Sequence, residues 1–147
     1  MRALGNVLWH FPFLGFLSAA VTYLLGLLLT ATVIAAPIGL GVMELGKFMF
    51  VPFGRALVKK SDLVESRSKA WQTYSTVIMI LYLPFGLTLS VVAALQVIGL
   101  CITVVGIPVG IVIAKSIGTY FNPVGKKCVS QAVADELERR KALAQFD

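Results

Sequence analysis

Glu44 and Lys115 lie within long apolar stretches, and they are the first candidates for chemistry. Glu44 falls in the stretch from Val7 to Phe53, and Lys115 falls in the stretch from Val77 to Val124. The two residues are 71 positions apart (115 − 44). If the stretches are embedded in a membrane, each charge costs about 2.5–3.5 kcal/mol on insertion scales. Such a side chain usually faces protein, a partner or water, so both residues are functional candidates.

The opposite charges of Glu44 and Lys115 allow two interpretations. In the first, the two side chains form an ion pair where two short helices pack together. In the second, Lys47 pairs with Glu44 locally at the i,i+3 spacing, and Lys115 extends its ammonium group to the lipid headgroups. The charge pattern alone leaves both interpretations open.

The elements that would position these charges occur twice in the chain. The stretch 37–58 aligns with 108–129 without a gap at a shift of 71 residues, and similarity at a fixed shift indicates duplication. Proline and glycine recur at the same places in both copies, and proline lacks the amide donor that a helix interior requires. The predicted helix breaks are Pro37, Gly39, Pro52 and Gly54 in the first copy, and Gly106, Pro108, Gly110, Pro123 and Gly125 in the second.

The composition predicts an integral membrane protein. Hydrophobic residues make up 58% of the chain, charged residues 14%, and the mean hydropathy is +0.88. Soluble domains average about 45–50% apolar and about 25% charged residues. The predicted fold is therefore all-α, with two tandem copies of a long helix plus a short proline-bounded helix. The long helices cover 3–35, with a break near Pro12 or Gly15, and 71–105; the short ones cover 39–50 and 110–121.

One membrane domain of two repeats is expected, at about 5–58 and 76–129, with a linker at 59–75 and a helical tail at 130–147. The linker region is polar and carries Lys59, Lys60, Asp62, Glu65, Arg67 and Lys69. In the tail, Asp135 with Arg139 and Glu136 with Arg140 have the favourable i,i+4 order. The apolar tail residues Val133, Leu137 and Leu143 are too few for a span, so we expect them to dock on a neighbouring surface.

The net charge of +6 favours a lipid surface over nucleic acid as the partner. The basic residues follow the apolar stretches, where the positive-inside rule places them: Arg55, Lys59, Lys60, Lys126 and Lys127. Both clusters are then cytoplasmic, as are both termini, and the repeats are parallel. The alternative is an inverted pair with one cluster outside. Without a cleavable signal at its start, the chain suits a bacterial inner membrane, and Trp9 is expected to anchor it at the interface.

The motifs resemble those of the YccF family, the inner membrane component domain. The resemblance rests on Asn6-x-Leu8, on Glu44 and Lys47 leading into the Pro52 break, on the GIPVG segment that contains Pro108, and on 123–130. It covers nearly the whole chain and thins in the linker and the tail. The family is regarded as a duplicated membrane domain with no settled biochemical activity. The resemblance therefore implies fold and location, and no reaction.

No catalytic, metal-binding or nucleotide-binding motif stands out, so an enzyme, a cofactor and a metal are not expected. The predicted function is a homo-oligomeric channel or permeation pathway for small ions, with Glu44 and Lys115 near the path. The alternative is a membrane-embedded scaffold or accessory subunit that docks a partner through its linker and tail. A channel predicts a water-accessible cavity at Glu44 or Lys115; a scaffold predicts a packed core and a groove on the cytoplasmic side.

Overall fold

The computed structural model describes residues 2–11, 13–63 and 68–146. Within them the chain forms six α-helices, two short 3₁₀ helices and one two-stranded ribbon. The helices are α1 (Arg2–His10), α2 (Gly15–Ala31), α3 (Ala36–Phe50), α4 (Lys69–Ile102), α5 (Ile107–Phe121) and α6 (Gln131–Ala144); the strands are β1 (Arg55–Lys59) and β2 (Lys126–Ser130). The 3₁₀ helices are Lys60–Leu63 and Val104–Gly106. The fold is thus mostly helical, as predicted, but it is not all-α.

Two helical hairpins, α2–α3 and α4–α5, make up the apolar part of the molecule. The same turn chemistry joins each pair. Thr32 donates its hydroxyl to the Leu29 carbonyl at 2.7 Å, and Thr103 donates to Leu100 at 3.0 Å. These hydroxyls therefore satisfy carbonyl groups at the ends of their own helices. Pro37 and Pro108 lie in the first turns of α3 and α5, where a missing N–H costs nothing.

The first predicted long helix is divided into two helices, and α2 begins at Gly15, one of the two predicted break points. α1 and α2 meet at an angle of 79°, and the bend places the indole of Trp9 against the backbone of Gly15. The indole N–H donates to the Met49 carbonyl at 2.8 Å, and Trp9 is buried. The prediction of an interfacial Trp9 is therefore wrong. The other predicted break point, Pro12, lies outside the described residues.

The second long helix, α4, continues for 34 residues through Pro84. Among the described residues, two segments are long and apolar enough to cross a membrane, Lys69–Ile102 and Val104–Phe121, or three if the bent α1–α2 pair counts as one. α3, with 15 residues, is about 22 Å long, which is shorter than the roughly 30 Å hydrocarbon layer. The apolar side chains of α2 and α4 are largely exposed, as a lipid-facing surface would be.

The ribbon is the part of the structure that the all-α prediction missed. β1 pairs antiparallel with β2, in a register that sets Arg55 opposite Ser130 and Leu57 opposite Cys128. The pairing extends at both ends, because Lys60 N–H donates to the Gly125 carbonyl and Gln131 N–H donates to that of Gly54. Gly125 has φ +72°, a conformation that favours glycine as the chain turns into β2. Two charged residues of the predicted linker, Glu65 and Arg67, lie outside the described residues.

The short helices α3 and α5 pack against each other in opposite directions, next to the ribbon. Gly41, near the start of α3, has no room for a Cβ because the Pro123 carbonyl beyond the end of α5 touches it. Conversely, Lys115 in α5 reaches the carbonyl of Pro52, just beyond the end of α3. The core between them and α1 contains Trp9, Leu45, Phe48 and Val112. This arrangement sets the position of every charged candidate.

Candidate functional site

Glu44 connects α3 to the ribbon. Its Oε1 accepts a hydrogen bond from Lys47 Nζ at 2.6 Å, one turn along the same helix. Its Oε2 accepts from the backbone N–H of Cys128 in β2 at 2.9 Å. The Glu44 side chain is only 16% exposed. A carboxylate that accepts from a backbone N–H forms a charge-assisted bond, so both oxygens stabilise the junction of helix and strand.

Lys115 does not meet Glu44, so the predicted ion pair between these residues is wrong. Its Nζ lies 3.5 Å from the Pro52 carbonyl and 5.8 Å from the centre of the Phe53 ring. The local alternative, Glu44 with Lys47, is the pair that forms. The reason is the opposite direction of α3 and α5. Equivalent positions lie at opposite ends of their contact, so each charge reaches the segment that follows the other helix.

Cys128, at the centre of β2, is half-buried and lies beside this junction. Burial raises the pKa of its thiol, and a hydrogen bond with Arg55 opposes that rise. The thiol is therefore protonated and unreactive near neutral pH. Glu44 is therefore the polar group that connects helix and strand at this junction.

Both predicted basic clusters come together on the ribbon. Lys59 in β1 lies directly opposite Lys126 in β2, while Lys127 lies opposite Val58. Two like charges across a strand pair are unfavourable unless a counterion or solvent separates them. Burial lowers the pKa of Lys126, the charge of Lys59 lowers it further, and Asp62 acts in the opposite direction. The ribbon thus concentrates positive charge on one face of the molecule, which the sequence alone placed in two separate clusters.

The glycines predicted near the helix breaks serve close packing. A Cβ on Gly39 would lie 2.5 Å from the Thr30 amide nitrogen, and a Cβ on Gly46 would lie 2.8 Å from that of Tyr23. Gly110 is less tightly enclosed, since its nearest neighbour is Cys101 Sγ at 3.3 Å. Small residues of this kind let membrane helices approach closely. In the first hairpin these positions are filled by the neighbouring helix.

A polar cleft beside the ribbon is a feature that no sequence motif indicates. We call it the ribbon cleft; its volume is about 430 Å³. It lies where the start of α4 meets the turn between α5 and β2. It is lined by Lys59, Lys60, Ser61, Gln72, Ser75, Thr76, Asn122, Val124, Gly125 and Lys126. Its polar residues are ordinary helix and turn residues, separated by up to 67 positions (126 − 59), so only the fold brings them together.

A second cleft, which we call the tail groove, lies between α6 and the 3₁₀ helix that follows β1. Its volume is about 450 Å³, and it is lined by Asp62, Leu63, Ala132, Val133, Glu136, Leu137 and Arg140. Lys141 holds α6 in place through a 2.6 Å ion pair with Asp62. The predicted Glu136–Arg140 pair forms at 3.1 Å, whereas Asp135 accepts from Gln131 instead of Arg139. Val133 and Leu137 face the groove, while Leu143 is exposed.

The chain is similar in sequence to proteins of a known membrane-protein family. The inner membrane component domain of the YccF family matches residues 4–55, which include α1, the first hairpin and the Pro52 break. The predicted resemblance to the YccF family is confirmed. The inner membrane protein YccF of Escherichia coli (strain K12) is 28% identical over 149 aligned positions, which cover all of both chains. The YccF protein of Shigella flexneri matches equally well. No solved structure gives a significant match.

The YccF matches and the apolar helices together establish the coarse class of this protein. It is a mostly helical membrane protein, as the composition predicted, and it is similar to inner-membrane proteins. The names of the YccF relatives state a location and no activity.

Proposed function

We propose that this protein is a membrane-embedded scaffold or accessory subunit of the bacterial inner membrane, whose ribbon side docks a partner. The proposal rests on which groups form hydrogen bonds with the charged side chains of the apolar helices. Glu44 is held by Lys47 and by the Cys128 amide within the chain, and neither Glu44 nor Lys115 lines the ribbon cleft or the tail groove. The two clefts lie beside the ribbon. Packed helices with clefts on the polar side favour docking over permeation.

The tail groove supplies the docking surface in this proposal. Its floor is apolar, from Val133 and Leu137, and its rim carries the Glu136–Arg140 pair. An amphipathic segment with an apolar face and a polar edge fits such a groove. The Lys141–Asp62 ion pair keeps α6 against the ribbon, so the groove exists before a partner arrives. Preformed surfaces bind with a smaller ordering cost.

We further propose that the chain is a duplicated domain with its ribbon and both termini on the cytoplasmic side. The strand register supports the duplication, because the central pair Leu57–Cys128 is itself separated by 71 residues (128 − 57). A twofold axis through this pair would exchange the two copies. The ribbon also supports the topology, since paired strands place both basic clusters in the same compartment. If the repeats were inverted, the two basic clusters would lie on opposite sides of the membrane, and β1 could not pair with β2.

A homo-oligomeric channel for small ions is the second candidate. One observation favours assembly of several copies: a Cβ at Gly99 on α4 would meet no atom within 4 Å, although small residues in membrane helices commonly mark helix contacts. Lys115 is also exposed, so a second copy could place it beside a shared path. Several chains would be needed to enclose such a path.

Ion flux in liposomes separates the two candidates. The purified protein is reconstituted beside Glu44→Gln and Lys115→Met, and cation and anion flux are measured over a range of voltage and pH. The scaffold proposal expects no flux above that of empty liposomes. Flux that either substitution changes would overturn it and establish the channel.

Photocrosslinking then tests docking directly. A photoreactive side chain is placed at Val133 or Leu137 in the tail groove, with Leu143 on the same helix as the matched control. The scaffold proposal expects one discrete adduct from the groove positions in intact cells and none from Leu143. Equal crosslinking from all three positions would show that α6 has no specific surface.

A further inference from the structure

The ribbon cleft combines positive charge with hydrogen-bond donors from three separate elements. Lys59 comes from β1, Lys126 from β2, and Gln72, Ser75 and Thr76 from the first two turns of α4. Among the described residues that line it, none carries a carboxylate. The lysines therefore make the cleft electropositive.

Ser75 gives an independent sign that a ligand belongs in this cleft. Its residue is 6% exposed, and its hydroxyl has no hydrogen-bond partner among the described residues. Buried polar atoms in folded proteins nearly always have a partner, so an orphan hydroxyl requires an explanation. Its neighbour Thr76 is different, because that hydroxyl donates to the Gln72 carbonyl at 2.8 Å. Ser75 is the group that an incoming acceptor would satisfy.

The charge on the ribbon points to the same kind of ligand. Lys59 and Lys126 face each other across the strand pair, and both burial and this proximity lower the pKa of Lys126. The nearby carboxylate of Asp62 is engaged by Lys141 at 2.6 Å. An anion placed between the two lysines would remove their repulsion and form charge-assisted hydrogen bonds.

We infer that the ribbon cleft binds a phosphate group, with Lys59 and Lys126 as its cationic contacts and the Ser75 hydroxyl as a neutral donor. A phosphate offers several acceptor oxygens, which matches donors that converge from three elements. A cleft of 430 Å³ holds a phosphate with a small attached group such as glycerol. Immediately beyond the cleft, α4 exposes Val77 and Ile80, so the cleft lies where the polar ribbon meets the apolar surface. Both a lipid headgroup and a soluble phosphate ester present this chemistry.

The test compares two lipids that differ only in the phosphate. The full-length protein, in a neutral detergent, is titrated with dioleoyl phosphatidic acid or with dioleoylglycerol, and bound lipid is counted by native mass spectrometry. We expect one phosphatidic acid to bind far more tightly than the diacylglycerol. Lys126→Gln and Lys59→Gln should each weaken it about tenfold, and Ser75→Ala several-fold. Lys126→Arg, which keeps the charge, should bind almost normally.

Lys127→Gln is the matched control, since it removes the same charge one residue along β2, outside the cleft. Equal binding of the two lipids would overturn the inference. So would an equal loss in Lys127→Gln and Lys126→Gln, which would indicate only general surface charge. Ser75→Ala removes a hydroxyl without a partner, so it should leave the melting temperature unchanged while weakening binding.

Competition identifies the source of the phosphate. Glycerol 3-phosphate and inorganic phosphate are added to the complex with phosphatidic acid. If millimolar glycerol 3-phosphate displaces the lipid, the cleft recognises a soluble phosphate ester. If only another phosphate-bearing lipid does so, the cleft recognises a membrane headgroup. Both results support a phosphate site.

Discussion

The two hairpins of this protein share a plan and differ in how tightly they are built. α3 and α5 have the same length, and their prolines lie at equivalent positions. In the N-terminal hairpin, Gly26 brings α2 into backbone contact with α3, where a Cβ would lie 2.5 Å from the Met43 amide nitrogen. The equivalent residue in α4, 71 positions on, is Val97, whose side chain keeps α4 and α5 further apart. One side chain thus changes how closely two helices pack.

The helices that precede the hairpins differ more. The N-terminal one bends by 79° so that Trp9 is buried beneath Gly15, whereas α4 continues as one helix past the equivalent Gly86. The residue equivalent to Trp9 is Ile80, which is 63% exposed. The comparison teaches that similar sequences at a fixed shift can yield one folded-back helix and one long helix.

Removing the buried indole should have the largest effect. Trp9→Ala deletes a core side chain and its hydrogen bond to Met49, so we expect a loss of about 4 kcal/mol in the free energy of unfolding. Ile80→Ala, at the equivalent and exposed position, should cost less than about 1 kcal/mol. Denaturant titration in detergent measures both. Equal losses would show that the two halves are built alike.

Copying the second hairpin into the first should have the next largest effect. Gly26→Val introduces the residue found at position 97, and we expect it to cost about 2–3 kcal/mol because it pushes α2 away from the Met43 backbone. Gly99→Val, where a Cβ meets open space, is the matched control and should be nearly neutral. A neutral Gly26→Val would mean that the tight packing of the first hairpin is not required.

Substitutions of Glu44 and Lys115 should have smaller effects on the free energy of unfolding, and the two effects should differ. Glu44→Ala leaves the Cys128 amide without its acceptor, at a cost of about 2 kcal/mol. Lys115→Ala removes one exposed, 3.5 Å contact and should cost about 0.5 kcal/mol. Because the two side chains do not touch, the double variant should lose the sum of the two within about 0.5 kcal/mol. A larger coupling energy would show that the two charges do interact.

The smallest expected effect is on the pH dependence of the reactivity of the Cys128 thiol. In Cys101→Ser, only Cys128 can react with a maleimide, and the reaction needs the thiolate. Since burial raises the Cys128 pKa, its rate should reach half-maximum at a higher pH than in the unfolded protein. Arg55→Met removes a hydrogen bond that lowers this pKa, so it should shift the midpoint further upward. A midpoint equal to that of the unfolded protein would contradict the buried position.

Several features of the fold could be predicted because they depend on local sequence. The proline positions predicted short helices at 39–50 and 110–121, and the structure starts them only three residues earlier, at Ala36 and Ile107. The local Glu44–Lys47 pair was available as an interpretation, because helical spacing alone brings the two side chains together. The ribbon could not be predicted in the same way. Its strands are five residues long and pair across 71 positions.

By itself, the sequence determined that this chain has apolar helices of membrane-spanning composition, broken at prolines and flanked by basic clusters. Those features follow from hydrophobicity and backbone geometry, which act over a few residues. The tertiary structure alone decided the partners of Glu44 and Lys115, the burial of Trp9 and the ribbon cleft around Ser75. These depend on the opposite directions of α3 and α5 and on strand pairing, which are long-range contacts that no local pattern records.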